Sequence, residues 1–201
     1  MGKGLSVSVS KEGYYTPTSE KIMSFEYAYP LGQAFKPDAG NPVVFHLRKK
    51  GHGEALIHGE NLFGFDTNGT IRYLDLLAGK NTLTPPGDLA VQFTRGARNS
   101  DGKYDWSVGI SVPDGGLLES DDEFMFEAPT DGYQPLIQIK MTADDPSWAS
   151  GGKKKFFFQS RGGSIYGRAE ATIYPRYQKG AAIALDYYVN PTGSRCLEPQ
   201  Q

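Results

Sequence analysis

Three histidines, His46, His52 and His58, are all the chain has, and they fall six residues apart within VVFHLRKKGHGEALIHGE, residues 43–60. Imidazole is a metal ligand and a general base near neutral pH, so the spacing asks whether the rings converge. If residues 43–58 form a hairpin about KKGHGE, symmetric pairing sets His46 opposite His58, about 5 Å apart on one face. His52 then sits at the tip, roughly 20 Å along the strand and out of reach. Two rings with a carboxylate from elsewhere could hold a divalent metal; three rings cannot. A plain cross-strand pair of surface histidines fits the same spacing.

Oxygen ligands are better represented. Asp66-Thr-Asn68-Gly69 and Asn99-Ser-Asp101-Gly102-Lys-Tyr-Asp105 set oxygen side chains at alternate positions beside a glycine. That arrangement suits Ca²⁺, which takes six to eight oxygens around a tight loop. Asn99, Asp101 and Asp105 make the stronger candidate set. Neither stretch completes the EF-hand pattern, and an ordinary Asn-Gly or Asp-Gly turn explains both. Asp121-Asp122-Glu123 and Asp144-Asp145 could complete either site, or stand as solvated loop charge.

Nucleophilic chemistry is thin. The sequence holds no G-x-S-x-G elbow, H-E-x-x-H pair, P-loop or dinucleotide fingerprint. Ser160, Ser164 and Ser194 lie near Gly and Arg without a histidine to order them. Cys196, the single cysteine, excludes an internal disulfide and a cysteine zinc cluster. Aromatic rings offer more, because a flat apolar face with a polar rim suits sugars and peptides. Trp106, Trp148 and Tyr133 are the leading candidates, ahead of Tyr166, Tyr174, Tyr177, Tyr187 and Tyr188. Trp148 lies in polar DDPSWASGGKKK and is expected at an exposed loop tip; most of the tyrosines are expected half-buried in sheet.

The elements that must position these residues are strands. With 25 Gly, 13 Pro, 12 Tyr and 11 Phe, the composition favours pleated sheet broken by turns. Leu5, Val7 and Val9 alternate with serines, the two-residue period of a half-buried strand. About a dozen strand candidates follow, including residues 22–29, 43–47, 55–58, 89–94, 106–112, 122–129 and 133–141. FFFQS, SIYGRAEATIY and AAIALDYYV complete the run, the last two joined by PRYQKG. FGFDTNGTIRYLDL is expected to be a hairpin turning at Asn68-Gly69. LLAGKNTL and DDPSWAS could each hold a helical turn, and Lys153-Lys154-Lys155 reads as charged protection before a buried strand. LSVSVSKEGYYTP and EFMFEAPTDGYQP share a Gly-Tyr exit, from two related sandwich halves or from turn chemistry alone. The expected fold is therefore all-β, an antiparallel β-sandwich with little helix, one domain over residues 1–201. The opening MGKGLSVSVSKEGYY reads as a strand left over from an upstream module, residues 1–17.

A net charge of −2 gives no basic field, so a nucleic-acid partner is not expected. No apolar run approaches the ~18 residues that span a bilayer, and no signal peptide is evident. The strand with KEGYY resembles the closing strand of carboxypeptidase regulatory-like, transthyretin-type sandwiches. NPVVFHLRKKG, YDWSVGISVPDGGL, EFMFEAPTDGYQP and YYVNPTGSRCLEP resemble uncharacterised C-terminal modules that accompany such domains in bacteria. That resemblance implies an exported setting, periplasmic, cell-surface or secreted, and carries no catalytic residues. The expectation is a non-catalytic module that binds a glycan, small molecule or protein partner. The alternative is a calcium-assisted hydrolase of a small ester, lactone or glycosidic bond, built on Asp101 and Asp105 or on His46 and His58.

Overall fold

The computed structural model describes residues 3–16, 23–27, 40, 42 and 44–200. It is all-β and antiparallel, and the chain divides into two compact units, residues 1–51 and 52–201. The boundary between the two units follows Gly51.

In the first unit, β1 (Lys3–Val7) pairs with β3 (Met23–Tyr27), Leu5 opposite Phe25. Strand β2 (Tyr14–Tyr15) pairs with β4 (Arg48–Lys49). Residues 44–47, expected as strand, are irregular, and the pairing falls on Arg48–Lys49 instead.

The second unit is the sandwich. Its strands are β5 (Ile57–Phe65), β6 (Arg72–Asp75), β7 (Lys80–Thr82), β8 (Leu89–Arg95), β9 (Trp106–Ser111), β10 (Gly116–Glu119), β11 (Leu136–Met141), β12 (Gly152–Ser160), β13 (Ile165–Tyr177) and β14 (Gly180–Asn190). One sheet runs β10-β12-β13-β14-β5 and the other β11-β9-β8-β6-β7. Between them lie Phe63, Phe156, Phe158 and Ile183 from the first sheet, and Phe93 and Trp106 from the second.

Alternation explains most of it. In β13, Ala169, Ala171 and Ile173 are buried while Arg168, Glu170 and Thr172 face outward. The unbroken Phe156-Phe157-Phe158 run has a separate cause: both faces are covered there. Phe156 and Phe158 enter the sandwich core, and Phe157 packs under Met125, Ala128 and Leu197 on the other side. That cover is made within residues 122–129, expected as a strand but tied instead to the C-terminal segment. Ala128 N–H donates to Arg195 O (2.8 Å) and Leu197 N–H to Phe126 O (2.9 Å). The two Gly-Tyr exits do share turn geometry, with Gly13 and Gly132 at φ of 74° and 86°, but only the first follows a strand.

The Asn68-Gly69 hairpin is not formed. Strand β5 belongs to one sheet and β6 to the other, so residues 66–71 cross the sandwich. The crossing is pinned to the edge of β8: Gly69 N–H donates to Phe93 O (2.8 Å) and Arg95 N–H to Thr67 O (3.1 Å). Nor do LLAGKNTL and DDPSWAS form helix; the single helical turn among the described residues is Arg161–Gly163.

A buried carboxylate ties the sheets together. Asp88, fully buried, accepts from Leu76 N–H (2.9 Å), the Ser160 hydroxyl (3.0 Å) and Arg161 Nε (2.9 Å). Arg161 takes a left-handed backbone (φ 53°) to make that contact and also reaches Asp75 Oδ1 (3.3 Å). The two carboxylates raise the Arg161 pKa further, chiefly through the hydrogen bond to Asp88.

Candidate functional site

The site with the most chemistry is the outer face of β5, β14 and β13. Register aligns it in rows across the strands: Glu60 opposite Asp186 and Asp186 opposite Glu170, with Lys155 of β12 beyond. Three carboxylates side by side repel one another unless something positive intervenes. Lys155 Nζ lies 3.0 Å from Glu170, and His58 Nε2 lies 2.9 Å from Asp186 Oδ1 and 3.8 Å from Glu60 Oε1. One donor atom each from His58, Glu60 and Asp186 lie within 4.8 Å of one another, close enough to share a metal ion.

The neighbouring row is His58, Tyr188 and Arg168. His58 stacks on Tyr188 at 4.3 Å and 16°, and Arg168 lies 4.1 Å from the centre of the same ring. These two come from strands on either side of β14, so Tyr188 has no ring face left for a ligand. In the other direction the floor is small: Thr172, Ala184 and Leu62, then Tyr174, Ala182 and Gly64. The result is a shallow hollow of about 360 Å³ lined by Glu60, Leu62, Glu170, Thr172, Ala184 and Asp186. Leu62 and Tyr174 are 50% and 40% exposed, an apolar edge and a ring tilted against Tyr177 (centroids 6.3 Å apart) on one surface.

The histidine hairpin does not form. Strand β4 pairs with β2, and β5 pairs with β14, which places Tyr188 rather than His46 opposite His58. His46 and His58 lie in different units, and the carboxylates of β14 and β5 stand where the second imidazole was expected. Long-range pairing overrode a local hairpin because β5 buries Phe63 and Phe65 in the sandwich core.

Asn99 is engaged by its own turn and Asp105 by the segment at Ala143. Asn99 Oδ1 accepts from Asp101 N–H (3.1 Å) and Lys103 N–H (2.9 Å), and Gly102 takes φ of 78°. Asp105 Oδ1 accepts from Ala143 N–H (2.7 Å). In the other loop, Asn68 Oδ1 accepts from Thr70 N–H and Asp66 pairs with Arg72, each at 3.0 Å. These oxygens close turns and hold neighbouring loops.

The leading aromatics are structural. Trp106 is 2% exposed, so it cannot present a face to a glycan; its Nε1–H donates to Ala149 O (2.9 Å). Trp148, expected at an exposed tip, packs against the core and edge-on to Tyr104, and donates to Tyr104 O (2.9 Å). Polar DDPSWAS conceals this because its charges face outward while the indole turns in.

Tyr133 is half-buried, its hydroxyl donating to Pro129 O (3.1 Å), and burial with Tyr166 nearby pushes its pKa up to about 12. Burial also raises Tyr187 and Tyr188. A phenol whose folded pKa lies above its unfolded value contributes stability that is complete below the unfolded pKa, about 10, and lost as pH climbs past it. Melting temperatures should therefore fall steeply between about pH 10 and pH 12. A flat profile across that range would show that these phenols ionise freely.

Sequence reading missed Glu60, Asp186 and Glu170. The two-residue period places each on an outward face, but nothing in it shows that the three fall in one row. Comparison with known proteins finds no matching family model, curated relative or solved structure.

Proposed function

We propose that this chain is a non-catalytic β-sandwich binding module whose ligand face is the outer surface of β13, β14 and β5, and whose ligand is a neutral, hydroxyl-rich glycan. The alignment of Glu60, Asp186 and Glu170 in one row beside an uncovered hollow carries this reading. Carboxylates are pure acceptors, and sugar hydroxyls are the donors they take. Tyr174, four residues from Glu170 on β13, lies roughly 13 Å along the strand from the acidic row. That distance suits a short run of sugar rings, one stacked on Tyr174 and another hydrogen-bonded to Asp186. The exported setting implied by the resemblance is consistent with such a ligand. No helix is long and apolar enough to cross a membrane among the described residues.

Calorimetric titration with a panel of neutral oligosaccharides tests this. We expect one to bind, with affinity falling about tenfold or more in Tyr174→Ala and in Asp186→Asn. Both residues are exposed enough to leave melting unchanged. Binding of none of the panel sinks the glycan reading.

A second reading rests on His58, Glu60 and Asp186 alone. A ligand set with one imidazole suits zinc-class ions better than Ca²⁺, which prefers oxygen throughout. Held there, such an ion would leave positions open for water, the arrangement a metal-dependent hydrolase needs. Zn²⁺ should then raise the melting temperature of the wild type but not of His58→Ala. Ester or lactone turnover that chelation abolishes would favour this reading over the first.

A further inference from the structure

At one end of the sandwich, the β8–β9 loop and the β13–β14 turn line a hollow of about 380 Å³ with Arg95, Arg98, Tyr104, Arg176, Gln178 and Lys179. Four cations share it, although the whole chain has a net charge of −2. No carboxylate is among the lining residues. Among the described residues, the side chains of Arg98, Arg176 and Lys179 make no ion pair or hydrogen bond.

Arg95 differs from these three. Its Nη1 donates to Pro175 O (2.8 Å) and Gly180 O (2.7 Å), which fixes the guanidinium without neutralising it. Asp105 adjoins Gly96 of the lining and keeps its negative charge, its Oδ1 accepting from Ala143 N–H (2.7 Å). Four cations with no carboxylate among them in the lining repel each other, and an anion that enters relieves that repulsion.

The walls are preformed. Trp148 holds the loop at Tyr104 O, and Trp106 holds the adjoining segment at Ala149 O. Gln178 takes φ of 49° in the two-residue turn between paired Tyr177 and Gly180, a conformation glycine would adopt without strain. Ordering cost on binding is small where loops are already fixed.

We infer that this hollow is a binding site for a small ligand carrying phosphate or sulfate groups. Guanidinium forks match the oxygens of such oxyanions two at a time, and Lys179 adds a compact charge at the rim. The volume suits a small molecule with more than one such group better than a lone ion. None of its lining residues is shared with the sheet-face hollow, so Asp186→Asn leaves it unchanged.

Calorimetric titration of the full chain with pyrophosphate and with a sulfated disaccharide, at low ionic strength, tests the site. At least one should bind, and which one identifies the source of the oxyanion. Arg98→Ala/Lys179→Ala should weaken binding about tenfold or more. Lys80→Ala/Lys140→Ala, which removes the same charge elsewhere on the surface, should leave it intact. Failure of both reagents to bind the wild type overturns the inference. So does full binding by the Arg98→Ala/Lys179→Ala protein, or equal loss in both double variants, since a diffuse field would then explain the affinity.

Discussion

Replacing Asp88 by alanine should lower the stability of the sandwich by about 3 to 4 kcal/mol, the largest loss expected from one polar side chain here. The reason is the number of groups it satisfies from full burial. Removing the carboxylate strands the Leu76 amide and the Ser160 hydroxyl, and takes from Arg161 the partner that holds its left-handed backbone. Arg161 itself is partly exposed and can turn to water, so the cost falls chiefly on the buried donors. For a unit of this size the loss corresponds to a melting temperature roughly 10 °C lower. Tryptophan fluorescence follows this transition cleanly, because both tryptophans, Trp106 and Trp148, lie in the sandwich. A change of only a degree or two in Asp88→Ala would mean that Arg161 and Ser160 find other partners and that the sheets do not depend on this clamp.

Gly167→Ala should be nearly as damaging, for a steric reason. On β13, Gly167 faces Phe158 of β12, and a Cβ added to it would lie 2.1 Å from Phe158 Cζ. The phenyl ring covers the glycine, and with Phe158 fully buried it has nowhere to move. Overpacking of this kind costs about 2 to 3 kcal/mol. Gly59 repeats the device on β5, where its Cβ would lie 2.3 Å from the Tyr187 ring opposite. The diagnostic measurement is a double-mutant cycle with Phe158→Leu: the smaller side chain should recover part of the loss, a coupling of about 1 kcal/mol or more. Strict additivity of the two substitutions would show that the ring and the glycine do not interact as described.

Much of the fold was legible from local pattern. Apolar runs bounded by turn residues marked β8, β9, β13 and β14 as strands, and PRYQKG marked the tight connection at Gln178-Lys179. Reading failed where the cause was not local. Asn68-Gly69 has hairpin chemistry but serves a crossing between sheets, because β5 finds β14 and β6 finds β8. Residues 122–129 have strand composition but cover Phe157, with the Ala128 amide and the Phe126 carbonyl bonded to the C-terminal segment. Trp148 looked exposed because its neighbours are polar, though it is half-buried against the core.

By itself the sequence determined the class of structure: its polarity period and its turn residues permit pleated sheets and little else, whatever those sheets pair with. Only the tertiary structure decided the chemistry. Side-chain alternation says which face a residue occupies, whereas register and sheet order say who its neighbours are, and these depend on burying Phe63, Phe93 and Phe158 together. That long-range choice set His58 against Asp186 instead of His46, aligned three carboxylates from strands far apart in the chain, and gathered four cations from two separate turns.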